Sequence, residues 1–522
     1  MKSHSSSSSK DSGQPKIQLT LSDRSMTWLH KAGLVGLWMS LNQLRTEFPN
    51  ADQRPGQVDW QLSSTGINLH WKGRDLDILD WLLTQSFQID QQGMICLRGL
   101  KASSLNTYAK LAIHQGITHT FLQHNKFIKS SRKKRLSVRV ERSRISILYK
   151  QLTSYIHQSF ADRLCDQEGQ FSKAPIKISG WLYPGAVARH ALFHEQTKFE
   201  VSPEEALVLL FAPVACWYFM VPADEYYKRI DYALVIPEVD DLASCAEFNL
   251  TLRGLSYAEF WVANLREAGL KFLTLQETSA PITLNAQKQC QVILFGKSKW
   301  SSQQMVIVDT SVVRATGKII HDYQLVCRHS LDNHIERHEG ESHISVSRVR
   351  GLVADNLTQN LPWWAGFAEA IDGKELNSTK EGMLKMVEEG EWNDPGKRLF
   401  IKACHEALRR SYAKLYDRTP EGDHAQLERF NVRIRSDLGR CKNATAFREL
   451  LSKFFSKAGQ IPTLQKHWEE LLPITTGEVD WKLTRDLVLL ALASYSKDET
   501  SRNERKVNSK AGDLQADEPS AD

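Results

Sequence analysis

The spacing of apolar residues changes several times along the first two thirds of the chain. Short runs at 17–21 and 58–71 predict a strand and a hairpin, and the hairpin turns near Gly66 because glycine accepts the positive φ of a tight turn. Recurrence every three or four residues over 26–44 predicts a helix with one apolar face. This mixture predicts a mixed α/β body, with further helices at 76–87, 106–123, 185–195, 203–220 and 256–268 and further strands at 232–236, 289–295, 305–313 and 318–327.

Helical spacing dominates the remainder of the chain. In 442–457 the apolar residues fall at i, i+3, i+4, i+7 and i+8, which forms one stripe along a helix, and Gly459 stands where such a helix would stop. Residues 397–416 repeat the pattern, and 487–493 are apolar on every side, as in a helix at the centre of a bundle. The pattern predicts an all-helical bundle that packs two apolar stripes, Phe447, Leu450, Leu451, Phe454 and Phe455 on one helix and Phe400, Cys404, Ala407, Leu408 and Leu415 on another.

Composition is typical of a folded protein and marks two tails. The 522 residues are 41% hydrophobic and 25% charged, which is ordinary for globular chains. This length allows two or three domains of roughly 150 residues each. The Ser-rich start lacks the apolar core of a signal peptide, and the last stretch lacks apolar periodicity. The sequence therefore predicts an α+β protein with a tail at 1–16, a mixed α/β body at 17–355, a helical bundle at 356–496 and a tail at 497–522.

Cysteine spacing and hydropathy indicate the compartment. The eight cysteines lie at least 29 positions apart, so no C-x-x-C pair exists for a zinc knuckle or a thioredoxin-like centre. Scattered cysteines of this kind are typical of reduced thiols in a cytosol. The longest apolar run, 206–222, is interrupted by Pro213 and is too short to span a bilayer. We therefore expect a soluble, cytoplasmic protein without a membrane partner.

Motifs for catalysis are weak throughout the chain. The phosphate-binding pattern G-x-x-x-x-G-K-[ST] is missing, because the Gly-Lys-Ser at 296–298 lacks the upstream glycine, and neither G-x-S-x-G nor a strand–G-x-G-x-x-G–helix unit occurs. His190 and His194 stand four apart on a predicted helix and could share a face toward Zn²⁺, but Glu195 follows the pair instead of lying between them. A metal-dependent nuclease or hydrolase using these three residues is the alternative function. The leading interpretation has no catalytic residue, no metal site and no cofactor.

Positive charge is concentrated in two separate segments, of which the first is 126–150. It contains ten Lys and Arg and one acidic residue, a local net charge of +9, and its apolar residues alternate as in a β-hairpin with one basic face. The run at 132–135 is predicted to lie before the first strand or in the loop leading into it. Protection of a sheet edge needs fewer charges than this, so the segment favours contact with phosphates. The candidate phosphate ligands are Lys126, Lys129, Arg132, Lys133, Lys134, Arg135, Arg139, Arg142 and Arg144.

The second basic segment, 397–457, lies in the predicted bundle. It has 15 Lys and Arg against 7 Asp and Glu, on helices whose apolar side packs and whose basic side is left over. A solvated surface explains any one of these helices. Two basic segments of different secondary structure in a chain without a catalytic motif favour a nucleic-acid-facing bundle, and a scaffold for acidic proteins is the other alternative. The candidate ligands are Arg409, Arg410, Arg433, Arg440 and Lys442.

Several short motifs combine aromatic, glycine and proline residues in a characteristic order. They are Gly-Leu-Val-Gly-Leu-Trp at 33–38, Tyr-Pro-Gly-Ala at 183–186, Leu-Phe-Ala-Pro at 210–213, Leu-Pro-Trp-Trp-Ala-Gly-Phe at 361–367, Phe-Ile-Lys-Ala-Cys-His-Glu-Ala at 400–407 and the helix at 481–495. In these motifs the chain resembles the large subunit of type I CRISPR effector complexes, the Cascade-like complexes, in the MYXAN-type group. The resemblance extends over 20–495, and its motifs are structural signatures.

The resemblance implies a set of partners and roles. The α/β body would hold the 5′ end of a CRISPR guide RNA and recognise the protospacer-adjacent motif in double-stranded target DNA. The helical bundle would be similar to the Cascade small subunit and lie along the guide–target hybrid. Further implied partners are the backbone subunits, the small subunits, and either a helicase-nuclease in antiviral defence or transposition proteins in RNA-guided transposition. A separate small subunit made by internal initiation would start at Met383 or Met386.

Overall fold

Strands are concentrated in one part of the chain and helices in another. The computed structural model describes residues 15–140, 142–178, 181–184, 199–223, 229–279, 287–297, 305–330, 333–338, 341–367, 380–390, 392, 394–416, 425–476 and 478–495. The chain divides into two compact units, Met1–Thr316 with Asn333–Val346 and Gly317–Asp332 with Ser347–Asp522. Within the described ranges the first unit mixes strands with helices and the second is helical, which confirms the predicted α+β class.

The elements are numbered here in chain order. The strands, all in the first unit, are β1 (Ile17–Thr20), β2 (Asp59–Leu62), β3 (Gly66–His70), β4 (Phe87–Ile89), β5 (Ile95–Leu97), β6 (Ile128–Val140), β7 (Ser143–Tyr155), β8 (Ile176–Ile178), β9 (Phe199–Val201), β10 (Trp217–Pro222), β11 (Ile230–Pro237), β12 (Gln287–Lys297), β13 (Met305–Thr316), β14 (His334–His338) and β15 (Glu341–Ser345). Helices of that unit are α1 (Trp28–Glu47), α2 (Asp75–Ser86), α3 (Thr107–Thr120), α4 (Ala161–Leu164), α5 (Pro203–Ala215), α6 (Leu242–Asn249) and α7 (Leu265–Ser279). Helices of the second unit are α8 (Gly317–His329), α9 (Arg348–Thr358), α10 (Lys380–Glu389), α11 (Pro395–Tyr416), α12 (Ala425–Arg440), α13 (Ala444–Ala458), α14 (Pro462–Lys466), α15 (Trp468–Thr476) and α16 (Trp481–Ser494).

A three-stranded antiparallel sheet opens the first unit. β3 is its central strand and pairs with β1 and β2, so the predicted strand and hairpin are confirmed. Gly66 does not take a positive φ, contrary to the expectation, and it is the first residue of β3. A Cβ atom at this position would lie 2.7 Å from the carbonyl oxygen of Leu19. The position therefore needs glycine for the close approach of two strands and not for turn geometry.

The packing of α1 against α5 lies at the centre of this unit. Added Cβ atoms at Gly33 and Gly36 would lie 2.2 Å and 2.1 Å from the carbonyl oxygens of Val208 and Phe211. Such distances are too short for any side chain, so glycine is what lets the two helix backbones approach. Every residue over 206–215 is buried, as expected for a helix that is apolar on nearly all sides.

The four-stranded sheet corrects the predicted length of that helix. The sequence predicts one helix over 203–220, whereas α5 ends at Ala215 and the next residues form β10. The strand order is β10-β11-β12-β13, all antiparallel, and Trp217 pairs with Val235. A continuous apolar run has no period of its own, so it does not show where a buried helix ends and a buried strand begins.

Two further segments differ from the predicted structure. In place of one helix over 256–268 there is a 3₁₀ turn at Tyr257–Phe260 followed by α7, whose first turn is capped by Asn264. Cap residues at both starts divide the segment, which apolar spacing alone does not reveal. The predicted strand over 318–327 is the helix α8, because burial at every third residue outweighs its β-branched composition. The buried residues at that spacing are Ile320, Tyr323 and Val326.

The second unit is built around α16. Every residue over 484–494 is buried, as the apolar run in this region predicts. Asn443 caps α13 by accepting a hydrogen bond from the Ala446 amide at 2.9 Å. Gly459 ends that helix with φ of 90°, at the residue where the sequence predicts the stop. One apolar cluster joins α11 to α16 and contains Leu408, Tyr412, Leu492 and Tyr495.

Some predicted features lie outside the described residues. These are the predicted helix 185–195 and nearly all of the tails at 1–16 and 497–522. Met383 and Met386 are described and are buried within α10. All eight cysteines are free. In the part of the chain that the structure describes, no helix has the length and apolar character needed to cross a membrane.

Candidate nucleic-acid interface

Most of the basic segment 126–150 folds into one antiparallel hairpin, β6–β7. On its buried side Val138 pairs with Ile145, and on its exposed side Arg139 pairs with Arg144. Successive side chains of a strand point to opposite faces, so the alternation of apolar and basic residues produces one packed face and one basic face. The predicted hairpin is confirmed. We call its exposed side the basic face.

The cationic run 132–135 lies inside β6, not before it as the sequence predicts. Lys133 and Arg135 are exposed on the basic face, whereas Lys134 is half-buried and pairs with Tyr149 on the other face. The four cations therefore do not act as one cluster. Four consecutive charged residues show no alternation of apolar and polar positions, so the sequence does not predict a strand here. The run is part of β6 because it pairs with β7.

A bulge positions Arg132, the first cation of that run. Ser131 and Arg132 of β6 stand opposite the single residue Gln151 of β7. The Ser131 hydroxyl donates to Gln151 Oε1 at 3.3 Å, and the Arg132 side chain is exposed. Because a bulge bends its strand and redirects the side chains, Arg132 follows a different direction from the regular positions after it.

Like charges face each other twice across the basic face. Lys133 is the direct partner of Lys150, and Arg139 is the direct partner of Arg144. Cβ atoms of such partners lie about 4.5–5.5 Å apart, and like charges at that distance are destabilising. Neither strand contains an acidic residue. A bound polyanion would relieve the repulsion, because its phosphates supply the negative charge that both strands lack.

The remaining predicted residues of this segment lie at the two ends of the hairpin. Lys126 is exposed in the 3₁₀ turn before β6, with its Nζ 4.8 Å from the centre of the Phe127 ring. Lys129 is exposed near the start of β6, and Arg142 is exposed at the tip between the strands. A strand rises about 3.3 Å per residue, so these cations are spread over roughly 40 Å. That distance spans several successive phosphates of a nucleic acid.

The basic face borders a polar cavity of about 710 Å³ at the open end of the hairpin. Lys133 and Lys150 line it from the hairpin, and Lys297 lines it from the end of β12. Lys150 and Lys297 are absent from the predicted ligand set. Lys150 could have been found, since it is the tenth cation of the basic segment. No sequence signal links Lys297 to this site, because β12 is distant along the chain.

His114 of α3 joins this cavity to the hairpin backbone. Its Nδ1 accepts a hydrogen bond from the Ile95 amide at 3.2 Å, and its Nε2 donates to the Lys150 carbonyl oxygen at 2.8 Å. Burial lowers the pKa of His114 to about 4, so the ring is neutral near neutral pH. These two bonds use both ring nitrogens and fix the position of Lys150 relative to α3.

His119 of α3 lines the same cavity, but it donates from Nδ1 whereas His114 donates from Nε2. Its ring stacks on Tyr232, with 4.2 Å between ring centres and 6° between planes, and its Nδ1 donates to the Gln115 carbonyl oxygen at 2.7 Å. Burial, together with the smaller effect of the positive charges of Lys150 and Lys297, lowers the pKa of His119 to about 4. The neutral ring therefore presents Nε2 as a hydrogen-bond acceptor.

In the bundle, two of the predicted ligands border one groove. Arg433 and Arg440 of α12 lie on it together with Lys453 and Lys457 of α13, and its volume is about 490 Å³. The two lysines are absent from the predicted ligand set, although their spacing of four residues places them on one side of α13. The apolar floor of the groove includes Phe430, Phe447, Leu451 and Phe454.

The other three predicted bundle ligands are not part of this groove. Arg409 and Arg410 are half-buried in α11, and Lys442 is exposed in the short turn between α12 and α13. Of the cations on the groove, Arg433 has an acidic neighbour, with 3.9 Å from its Nε to Oδ2 of Asp437. The structure thus brings together only some of the bundle cations that the sequence predicts to act as one surface.

The alternative function depends on a metal site. Its three residues, His190, His194 and Glu195, lie outside the described residues. Among the residues that the structure does describe, no group of three or more His, Cys, Asp or Glu side chains is placed to hold a metal ion.

Comparisons with known proteins find two similar domains and a similar full-length protein. The family model of the DevT N-terminal domain matches residues 18–210, and that of the DevT C-terminal domain matches residues 388–521. The chain is also 25% identical over 516 residues to the CRISPR-associated protein Cas8a1/Csx13 of Myxococcus xanthus, a similarity that covers 90% of this chain and 87% of that protein. The two domain matches and the extent of this similarity confirm the resemblance, found in the sequence, to the MYXAN-type group of CRISPR-associated proteins.

Proposed function

We propose that this protein is the large, non-catalytic subunit of an RNA-guided type I CRISPR effector complex, and that its basic face binds nucleic-acid phosphates. The observation that carries the proposal is the placement of Lys133 opposite Lys150, with Arg135 and Arg144 exposed on the same face, on a hairpin whose strands contain no acidic residue. The similarity to Cas8a1/Csx13, a CRISPR-associated protein, supports the complex to which the proposal assigns the chain.

In this role the two predicted regions divide the work. The body at 17–355 holds the 5′ end of the CRISPR guide RNA and recognises the protospacer-adjacent motif of double-stranded DNA. The bundle at 356–496 lies along the guide–target hybrid as a small subunit does, and the four cations on its groove support this assignment. Backbone and small subunits are the protein partners. The complex acts in the cytoplasm, either in antiviral defence with a helicase-nuclease or in RNA-guided transposition with transposition proteins.

The Lys and Arg side chains of the basic face determine its role in nucleic-acid binding. Lys and Arg contacts to phosphates give affinity and orientation without reading sequence. A protein that neutralises several phosphates releases counterions, so its affinity falls steeply as the salt concentration rises. We therefore assign the basic face to holding the backbone of the nucleic acid, and not to reading the protospacer-adjacent motif.

A salt titration of guide-RNA binding tests this assignment. The variant Lys133→Ala/Arg135→Ala/Arg144→Ala removes three exposed cations of the basic face. Each phosphate contact to a single strand contributes about 0.7 to the slope of log affinity against log salt, so the slope should become shallower by about 2. The matched control, Lys72→Ala/Lys173→Ala/Lys177→Ala, removes three exposed lysines of the same unit that lie outside the basic face and should leave the slope unchanged.

Two results would count against the proposal. A slope near zero for the unaltered protein would favour a scaffold for acidic proteins. Stoichiometric Zn²⁺ or Mn²⁺ in the purified protein, lost in the His190→Ala variant, would favour the metal-dependent hydrolase instead.

A further inference from the structure

The cavity beside the basic face is lined by three segments that are far apart in the chain. α3 and the turn after it form one wall, the hairpin residues Lys133, Leu148 and Lys150 form another, and Lys297 closes it from β12. Its volume of about 710 Å³ lies within the range of roughly 300–1,000 Å³ that is usual for small-molecule sites. The cavity is therefore large enough for one nucleotide.

The charge of this cavity is entirely positive. Three of its lining residues are lysines, and none of the described residues that line it is an Asp or a Glu. Lys150 is held in place by a hydrogen bond from its Nζ to Asn125 Oδ1 at 2.9 Å. Lys297 is a third cation on the wall of the cavity, so it adds to the repulsion between Lys133 and Lys150. A phosphate group is the anion that several ammonium groups can share, because each of its oxygens accepts hydrogen bonds.

The remainder of the wall suits a nucleobase. Leu148 is 46% exposed, although it is a large apolar residue, and it stands opposite Arg135 on the basic face. An exposed leucine beside lysines offers an apolar surface against which a flat ring packs. His119 is held by Tyr232 and Gln115 with its Nε2 as an acceptor, which matches the exocyclic amino group of adenine or cytosine.

The cavity also continues the path of the basic face. Lys133 and Lys150 belong to both surfaces, so a strand whose phosphates follow the hairpin reaches the cavity without crossing an acidic region. Single-stranded nucleic acids are recognised by moving an unstacked base into a pocket while the backbone stays on cations. The geometry points to such a pocket here.

We infer that this cavity binds one unstacked nucleotide of a single-stranded nucleic acid, with its phosphate between Lys133, Lys150 and Lys297 and its base against Leu148 and His119. The inference rests on the proposed function, because it takes the strand on the basic face to be the source of the nucleotide. It adds a nucleotide-binding site to a surface that otherwise contacts only the backbone.

Calorimetric titration of the full-length protein with mononucleotides tests the site directly. Adenosine 5′-monophosphate should bind, and adenosine, which lacks the phosphate, should bind at least about tenfold more weakly, the equivalent of one charge-assisted hydrogen bond. Deoxyadenosine 5′-monophosphate separates the two sources of the nucleotide. Equal affinity for it assigns either RNA or DNA, and clearly weaker binding assigns RNA, since only the 2′-hydroxyl differs.

Two variants separate this cavity from the rest of the basic face. Lys297→Ala removes one cation without altering the hairpin, and Leu148→Trp fills the cavity without altering any charge. Each should weaken binding of adenosine 5′-monophosphate about tenfold. Lys72→Ala and Leu472→Trp are the matched controls, because both residues are exposed and neither lines the cavity. They should bind the nucleotide as the unaltered protein does, and thermal unfolding checks that all four variants fold.

The outcomes distinguish this inference from the proposed function. If adenosine 5′-monophosphate does not bind, or if both cavity variants bind it normally, the nucleotide site is wrong even when charge removal on the basic face weakens guide-RNA binding. If the nucleotide binds through Lys297 and Leu148 but charge removal leaves guide-RNA binding unchanged, the site stands and the proposed phosphate surface is wrong.

Discussion

The β6–β7 hairpin and the helical bundle are both rich in Lys and Arg, but their cations have different surroundings. In the bundle, Lys414 donates from its Nζ to the carbonyl oxygens of Lys457 and Ala458 at 2.7 Å and 3.3 Å, which completes the end of α13. In the hairpin, Lys133 and Arg135 lie exposed on strands without an acidic residue. Some bundle cations thus hold the fold together, while the hairpin gathers cations that repel one another.

This difference shows why local net charge is an incomplete guide to a phosphate-binding surface. The bundle segment 397–457 contains more cations than the hairpin segment, 15 against ten. Part of that charge is used internally, as in the pair of Lys397 Nζ and Asp394 Oδ2 at 3.8 Å. A cation that already has a partner must give it up to bind a phosphate, so it contributes less to affinity. The number of cations in a segment therefore does not measure how strongly the segment binds phosphates.

The largest expected effect comes from comparing charge removal in the two regions. The hairpin variant Lys133→Ala/Arg135→Ala/Arg144→Ala should weaken guide-RNA binding about a hundredfold, at roughly 1 kcal/mol for each lost phosphate contact. The bundle variant Arg433→Ala/Arg440→Ala/Lys453→Ala should weaken it about tenfold or less. Fluorescence anisotropy with labelled guide RNA measures both. Equal losses would remove the distinction between the two regions.

The next effect is a dependence of bundle stability on pH. His405 Nε2 donates to the Ala491 carbonyl oxygen at 3.0 Å, and burial lowers the pKa of this histidine from 6.5 to about 4. As the pH falls from about 6.5, the unfolded chain takes up a proton before the folded chain does, so stability decreases until about pH 4. The loss between about pH 7 and about pH 5 should be about 2 kcal/mol.

Urea unfolding of the unaltered protein and of His405→Gln at both pH values measures this contribution. The variant should lose less stability on acidification, because it has no proton to gain at this position. Guide-RNA binding by the hairpin should change little over the same range, since neither strand of the hairpin contains a histidine. A variant that retains the full pH dependence would assign the effect to other groups.

A smaller effect is expected at the end of α13. Lys414→Met keeps the length of the side chain but removes the donor to Lys457 and Ala458, which should lower the free energy of unfolding by about 1 kcal/mol. Lys402→Met, at an exposed position of the same helix, is the control and should be neutral. Guide-RNA affinity should stay the same in both variants. A loss of affinity in Lys414→Met without a loss of stability would mean that this cation serves the ligand.

The smallest effect is expected at Arg433 alone. Its Nε lies 3.9 Å from Asp437 Oδ2 in an exposed ion pair, so Arg433→Ala should weaken guide-RNA binding less than about threefold. Asp437→Asn should strengthen binding slightly, because it frees the same cation. Salt titration of the two variants provides the measurement, and opposite signs of their effects would support the shared role of the pair.

Much of the fold was accessible from local patterns. The helices α1, α2, α3 and α13 and the hairpin β2–β3 follow from apolar spacing, and the stop at Gly459 marks the end of α13. The structure differs from the prediction where one sequence pattern is compatible with both a helix and a strand. α5 and β10 share one apolar run, and α8 has the composition of a strand. In both cases, tertiary contacts with other segments determine whether the residues form a helix or a strand.

Only part of the candidate site can be predicted from the sequence. The net charge of 126–150 and its alternation predict a basic hairpin, and the structure has one. The division of 133–135 between two faces follows from their pairing inside β6, and the direction of Arg132 depends on a bulge, which no local signal marks. The groove on the bundle joins Arg433 and Arg440 to lysines of the next helix, and this depends on how α12 and α13 pack.

By itself, the sequence determined the α+β class, the positions of most elements, the two basic segments and the family resemblance. Each of these features depends on the periodicity and charge of a few tens of neighbouring residues, which can be recognised in the sequence. Only the tertiary structure decided that Lys133 faces Lys150, that Lys297 joins them, and that His119 and Leu148 complete one cavity. Such contacts depend on strand register and on the packing of segments that are distant in the chain. The free energy of this packing is a property of the whole fold.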